Sequence, residues 1–120
     1  MALHTETPIH KVAHDLTVYA ITLARNFPRD VKRLMGEEIR DLCLAMVTLI
    51  YKANKARDQQ KLDPIDALLE RQMQVEALLR VSRDMGFISP GQYARALELT
   101  ESIGRQAHGW RKRYAPSPAA

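Results

Sequence analysis

Apolar residues recur every three or four positions along most of this chain, and no segment alternates with the period of two that a half-buried strand needs. The breaks fall at a few prolines, glycines and polar runs, and they divide the pattern into four predicted helices, about 9–26, 30–56, 64–85 and 90–112. In the first, Ile9, Val12, Ala13, Leu16, Ala20, Leu23 and Phe27 share one face, with His10, His14 and Arg25 opposite. "NFPRD" reads as the first turn, with Asp30 as N-cap of the second helix. There Met35, Ile39, Leu42, Met46, Leu49 and Ala53 step by four and three, the spacing of a packed seam, while Gly36 marks a kink or a short separate turn. After the polar connection "KARDQQKLD", Asp63-Pro64 reads as N-cap and first position of the third helix. Its apolar positions are Ile65, Leu68, Leu69, Val75, Leu78, Leu79, Val81 and Met85, and Gly86 ends it. Ser89-Pro90 repeats the start signal for the fourth, whose inner face carries Tyr93, Ala96, Leu97, Thr100, Ile103, Gly104 and Ala107.

Four amphipathic helices on short connections bury their stripes best as an all-α, antiparallel up-down four-helix bundle. That bundle is expected over residues 1–114, with "APSPAA" (115–120), which cannot continue a helix, as a disordered tail. The second helix exceeds this need. Leu44, Val47 and Tyr51 widen its apolar arc to about 220° at 3.6 residues per turn. Either this helix lies deep in the bundle, or the second stripe packs on a neighbouring subunit and makes a homo-oligomer.

Length changes little in this picture: 120 residues suit one domain with one core. No apolar run reaches the roughly 18–20 residues of a membrane span, and "MALHTETPIHK" is not a secretory signal. The single cysteine, Cys43, excludes an internal disulfide, so a reducing cytoplasm is the expected location.

Candidate chemistry is thin. His10 and His14 stand at the i, i+4 spacing that can share a metal ion, but only Asp15 is near and no second ligand pair exists, so a solvated helix face is the better reading. Cys43 flanks the seam of helix two, where a cysteine serves as a small hydrophobe rather than a nucleophile. Glu37, Glu38 and Asp41 face outward within reach of Arg33, Arg40 or Lys11, and ion pairing accounts for them. The five glycines are scattered and form no phosphate loop. No enzyme, metal or cofactor is expected.

The basic residues say more. The net charge is +4, yet the first 101 residues hold 14 bases and 14 acids, so the excess lies in Arg105, Arg111, Lys112 and Arg113. Arg25, Arg29, Lys32 and Arg33 gather at the first turn, against the helix dipole, where a phosphate would meet side chains and backbone N–H groups together. Lys52, Lys55 and Arg57 lie at the other end of helix two. In "GRQAHGWRKRY", Gly104 and Trp110 fall on the inner stripe and its border, while Arg105, His108 and Lys112 form an outward basic comb.

Two stretches carry a family resemblance. "NFPRDVKRLMGEEIRDLCLAMVTLIYKANKA" (Asn26–Ala56) and "ISPGQYARALELTESIGRQAHGWRK" (Ile88–Lys112) resemble the accessory variability determinant proteins of diversity-generating retroelements. That family shares a four-helix-bundle superfamily with the proteins encoded in ribosomal RNA intervening sequences. The resemblance implies a non-enzymatic subunit that assembles into a ring-like homopentamer with a basic surface. It further implies binding of RNA and DNA, and a reverse transcriptase partner whose mutagenic copying of template RNA into cDNA the protein supports. The nucleic-acid contacts it implies are Arg25, Arg29, Lys32, Arg33, Arg40, Arg105, Arg111 and Lys112; Lys52, Lys55 and Arg113 extend the set by position. The oligomer contact falls to Leu44, Val47 and Tyr51. The other readings are a helical protein–protein scaffold, or an intervening-sequence-type bundle without a reverse transcriptase.

Overall fold

The structure, a computed structural model, describes residues 7–116, so the expectations for 1–6 and 117–120 lie outside the described residues. Four long helices account for most of it: α1 (Pro8–Ala24), α2 (Glu37–Lys55), α3 (Leu62–Asp84) and α4 (Pro90–Tyr114). Each packs on its sequence neighbours and α4 closes against α1. Cross-helix contacts pair the start of one helix with the end of the next. Asp66 meets Arg111, and Arg83 lies over Tyr93. α3 and α4 are therefore antiparallel.

Local chemistry explains most helix ends. Thr7 accepts the His10 N–H at 3.3 Å and Pro8 occupies the first position of α1, where its missing N–H costs nothing. Ser89 and Gln92 form a reciprocal capping box at α4: Oγ of Ser89 accepts from the Gln92 N–H at 3.0 Å, and Oε1 of Gln92 accepts from the Ser89 N–H at 2.8 Å. α3 stops at Gly86, whose φ of +78° is the left-handed closure that favours glycine.

Two expected caps are corrected. Asp30 does not cap a helix: Pro28 holds that position, and Asp30 sits inside a short turn, Arg29–Val31. That turn widens into a π-helical stretch, Lys32–Gly36, before α2 begins. Asp63 is likewise no cap, because a 3₁₀ turn, Asp58–Lys61, runs directly into α3 and leaves Asp63 in its first turn. The end of α2 is closed from a distance instead. The Lys61 ammonium donates to the carbonyls of Ala53 at 2.9 Å and Asn54 at 3.3 Å, among the last that α2 presents.

The core is apolar and continuous through all four helices, from Ile9, Leu16 and Phe27 to Ile39, Met46, Ile65, Leu68, Leu79 and Ile103. On α2 the buried line is Ile39, Leu42, Cys43, Met46, Ile50 and Ala53. Met35 and Leu49 of the expected seam are only half-buried, since α2 faces both α1 and α3 and its inner arc is centred between them. Val81 and Met85, expected inside, are exposed, while Gln72 and Ser82 of α3 are buried. Leu99 takes the inner place on α4 that the pattern gave to Leu97.

Candidate nucleic-acid interface

The corner between α1 and α2 is shaped by glycine. Gly36 closes the π-helical stretch and is buried; a Cβ there would stand 3.3 Å from that of Ala24 and 4.0 Å from the Phe27 ring. The entry to α2 therefore lies directly on the last turn of α1, so close that a Cβ at Gly36 would make Ala24 give by a few tenths of an ångström. Phe27 in turn packs on Phe87, ring centroids 5.6 Å apart, which anchors the corner to the α3–α4 hairpin.

Around this corner the backbone gathers five of the basic residues singled out from sequence. Arg25, Arg29, Lys32, Arg33 and Arg40 line one open cleft of about 360 Å³, with Glu37 the one carboxylate on its wall among the described residues. All five are exposed. Arg40 is spent in part on its neighbour Asp41, at 3.0 Å. Among the described residues, no ion pair holds Arg25, Arg29, Lys32 or Arg33. Five cations against Glu37 leave this concave surface with a net positive charge, and an anion relieves the repulsion among them. The helix start here is a three-residue turn, so the cleft's attraction rests on side chains rather than on the helix-end N–H groups expected from sequence.

The remaining candidates lie elsewhere. Lys52 and Lys55 stand near the far end of α2, about 24 and 28 Å from Gly36 at about 1.5 Å per residue. Lys55 lies over the Tyr51 ring at 4.6 Å. Arg105, Lys112 and Arg113 are exposed in the second half of α4. Arg111 is different: its Nε donates to Asp66 at 2.6 Å, joining α4 to α3, and that hydrogen bond raises its pKa further above an already high range. The structure thus separates one sequence list into a compact cleft at one end of the bundle and a looser set towards the other.

Leu44 is 48% exposed on the outer face of α2, with Val47 and Tyr51 half-buried beside it. Cys43 is fully buried, and burial pushes its thiol up to about 12, which keeps it neutral and unreactive. His14 is exposed beside Asp15, and among the described residues no three His, Cys, Asp or Glu side chains converge on a metal position. No helix among them is long and apolar enough to cross a membrane.

Sequence reasoning passed over Lys61. Besides capping α2, its ammonium stands 5.9 Å from the Trp110 ring centroid and 5.4 Å from that of Tyr114. Nothing in "DQQKLD" signals this, because the partners lie up to fifty-three residues away and only the closed bundle brings them together.

The bAvd-like family model matches residues 8–114 of the chain, from the first residue of α1 to the last of α4. No curated protein and no solved structure matches it.

Proposed function

The chain belongs to the bAvd-like family, the accessory variability determinants, whose members point to an accessory role in diversity-generating retroelements, and on that premise we propose that it is a non-enzymatic, nucleic-acid-binding subunit working with a retroelement reverse transcriptase. In this reading it holds template RNA or its cDNA during mutagenic copying, as a ring-like homo-oligomer. One observation carries it: the cleft at the α1–α2 corner, where Arg25, Arg29, Lys32 and Arg33 stand together without ion pairs among the described residues. Cations so placed bind phosphates and release counterions, giving affinity with little discrimination between bases. Lys52, Lys55, Arg105, Lys112 and Arg113 extend the surface along the bundle, and Arg111 adds less because Asp66 already neutralises it.

The test is a salt series on a structured RNA, with wild type and the triple variant Arg29→Ala, Lys32→Ala, Arg33→Ala. All three side chains are exposed, so helicity should be unchanged. Losing three phosphate contacts flattens the slope of log affinity against log salt by about two to three. A variant that binds as the wild type does removes the cleft from this reading. A wild type that ignores RNA at low salt leaves a protein–protein scaffold as the better account.

A further inference from the structure

At the opposite end of the bundle from the basic cleft lies a second concavity of about 590 Å³, built on different chemistry. Trp110 and Tyr114, one turn apart on α4, bring two aromatic rings, both half-buried. Asn54 and Gln106 bring amides, Lys61 and Arg113 bring cations, and among the described residues no carboxylate lines it. Its parts are held in place: Ser102 Oγ accepts from Gln106 Nε2 at 3.1 Å, and the Lys61 ammonium is fixed by the carbonyls of Ala53 and Asn54 while facing both rings. Gly109 sits on the same wall, and a Cβ there would meet nothing within 4 Å. Packing therefore does not demand this glycine, but a larger side chain would project into open space at the cleft.

Aromatic faces, amides and cations suit a ligand that is planar, carries hydrogen-bonding edges and is negatively charged. We propose that this cleft is a stacking site for an unpaired nucleotide: the base lies against Trp110 or Tyr114, an amide meets its edge, and Arg113 meets its phosphate. A paired base cannot present its face, so the site selects single strands, whereas the basic cleft takes any phosphate backbone. Stacking tolerates every base, so sequence preference is slight. The source of the nucleotide, a strand rather than a free nucleotide, rests on the nucleic-acid reading above; the cleft's chemistry does not.

Trp110 is the chain's only tryptophan, so its fluorescence reports this site alone. The probes are adenosine monophosphate, an unpaired adenylate oligonucleotide and its fully paired duplex, with binding followed in parallel by anisotropy of a labelled strand. The expected result is quenching of Trp110 by the unpaired strand and none by the duplex. The variant Gly109→Leu, which should keep the helix intact by circular dichroism, is expected to weaken the quenching titration about tenfold. Strand binding by anisotropy with unchanged Trp110 emission overturns this inference and leaves the proposed function standing. Equal quenching in Gly109→Leu also overturns it. Quenching by the monophosphate without strand binding keeps the site, assigns it to a free nucleotide and overturns the proposed function. Silence from every probe overturns both.

Discussion

The side-chain amide of Gln72 on α3 lies on the bare backbone of Gly104 on α4: a Cβ at Gly104 would stand 3.2 Å from Nε2 and 3.4 Å from Cδ of Gln72. Gln72 cannot easily retreat, because Nε2 donates to Glu76 Oε1 at 2.7 Å and to the Thr100 carbonyl at 3.2 Å. The Thr100 hydroxyl donates to the same Glu76 oxygen at 2.9 Å, so the whole group is tied across the two helices. This is why a glycine stands in the middle of "SIGRQ", where alanine would favour the helix by about 1 kcal/mol.

The two effects of Gly104→Ala therefore oppose each other, and the partner decides the sign. Overpacking against a pinned side chain costs on the order of 1–3 kcal/mol, more than the helix gains, so wild type should lose about 1 kcal/mol. In a Gln72→Ala background the clash is gone and the same change should stabilise by about 1 kcal/mol. Urea unfolding of the four proteins reads both values. Stabilisation in both backgrounds would mean that Gln72 yields freely and that the contact does not explain the glycine.

Cys43 gives a pH dependence with a definite sign. Its thiol titrates at an ordinary 9.0 when unfolded and at about 12 when folded, because burial disfavours the thiolate. Below pH 9 both states keep the proton and the group is silent. Between the two values the unfolded chain alone loses it, so stability falls as pH rises. At pH 10 the loss should be about 1.4 kcal/mol, and Cys43→Ala should remove it while adding a pH-independent cavity cost. Denaturant curves for both proteins at pH 7.5 and pH 10 check this: an equal pH effect in the two assigns the loss to other groups.

How far these features can be read from sequence depends on how local their causes are. The face of α1, the Ser89 start of α4 and the glycine stop at Gly86 follow from spacing and from residues within one turn, and they stand in the structure with one shift: on α1, Thr17 is buried and Val12 only half-buried. The π-helical stretch shows in the sequence only as the kink or short separate turn marked by Gly36, because the close approach of Gly36 to Ala24 exists only once the corner is folded. The buried Gln72 reads as a surface residue until Thr100 and Glu76 supply its partners. Charge behaved similarly. The list of bases was legible, but their sorting into a cleft, an Asp66-paired Arg111 and a distant end depends on which helices meet.

The outer face of α2 tests the assembly. Leu44 is 48% exposed, and Val47 and Tyr51 are half-buried beside it. In a monomer this face meets water, and Leu44→Glu should then be neutral or slightly favourable. In the proposed ring it is covered by a neighbouring subunit, and a carboxylate placed there would be buried without a partner, at a cost of several kcal/mol per contact. Sedimentation equilibrium should find wild type at a multiple of its 13.7 kDa chain mass and Leu44→Glu at the chain mass itself, with circular dichroism unchanged. A monomeric wild type ends the oligomer reading. An oligomer indifferent to Leu44→Glu moves the interface to another face, of which the exposed Met73 and Val81 on α3 would be the next to substitute.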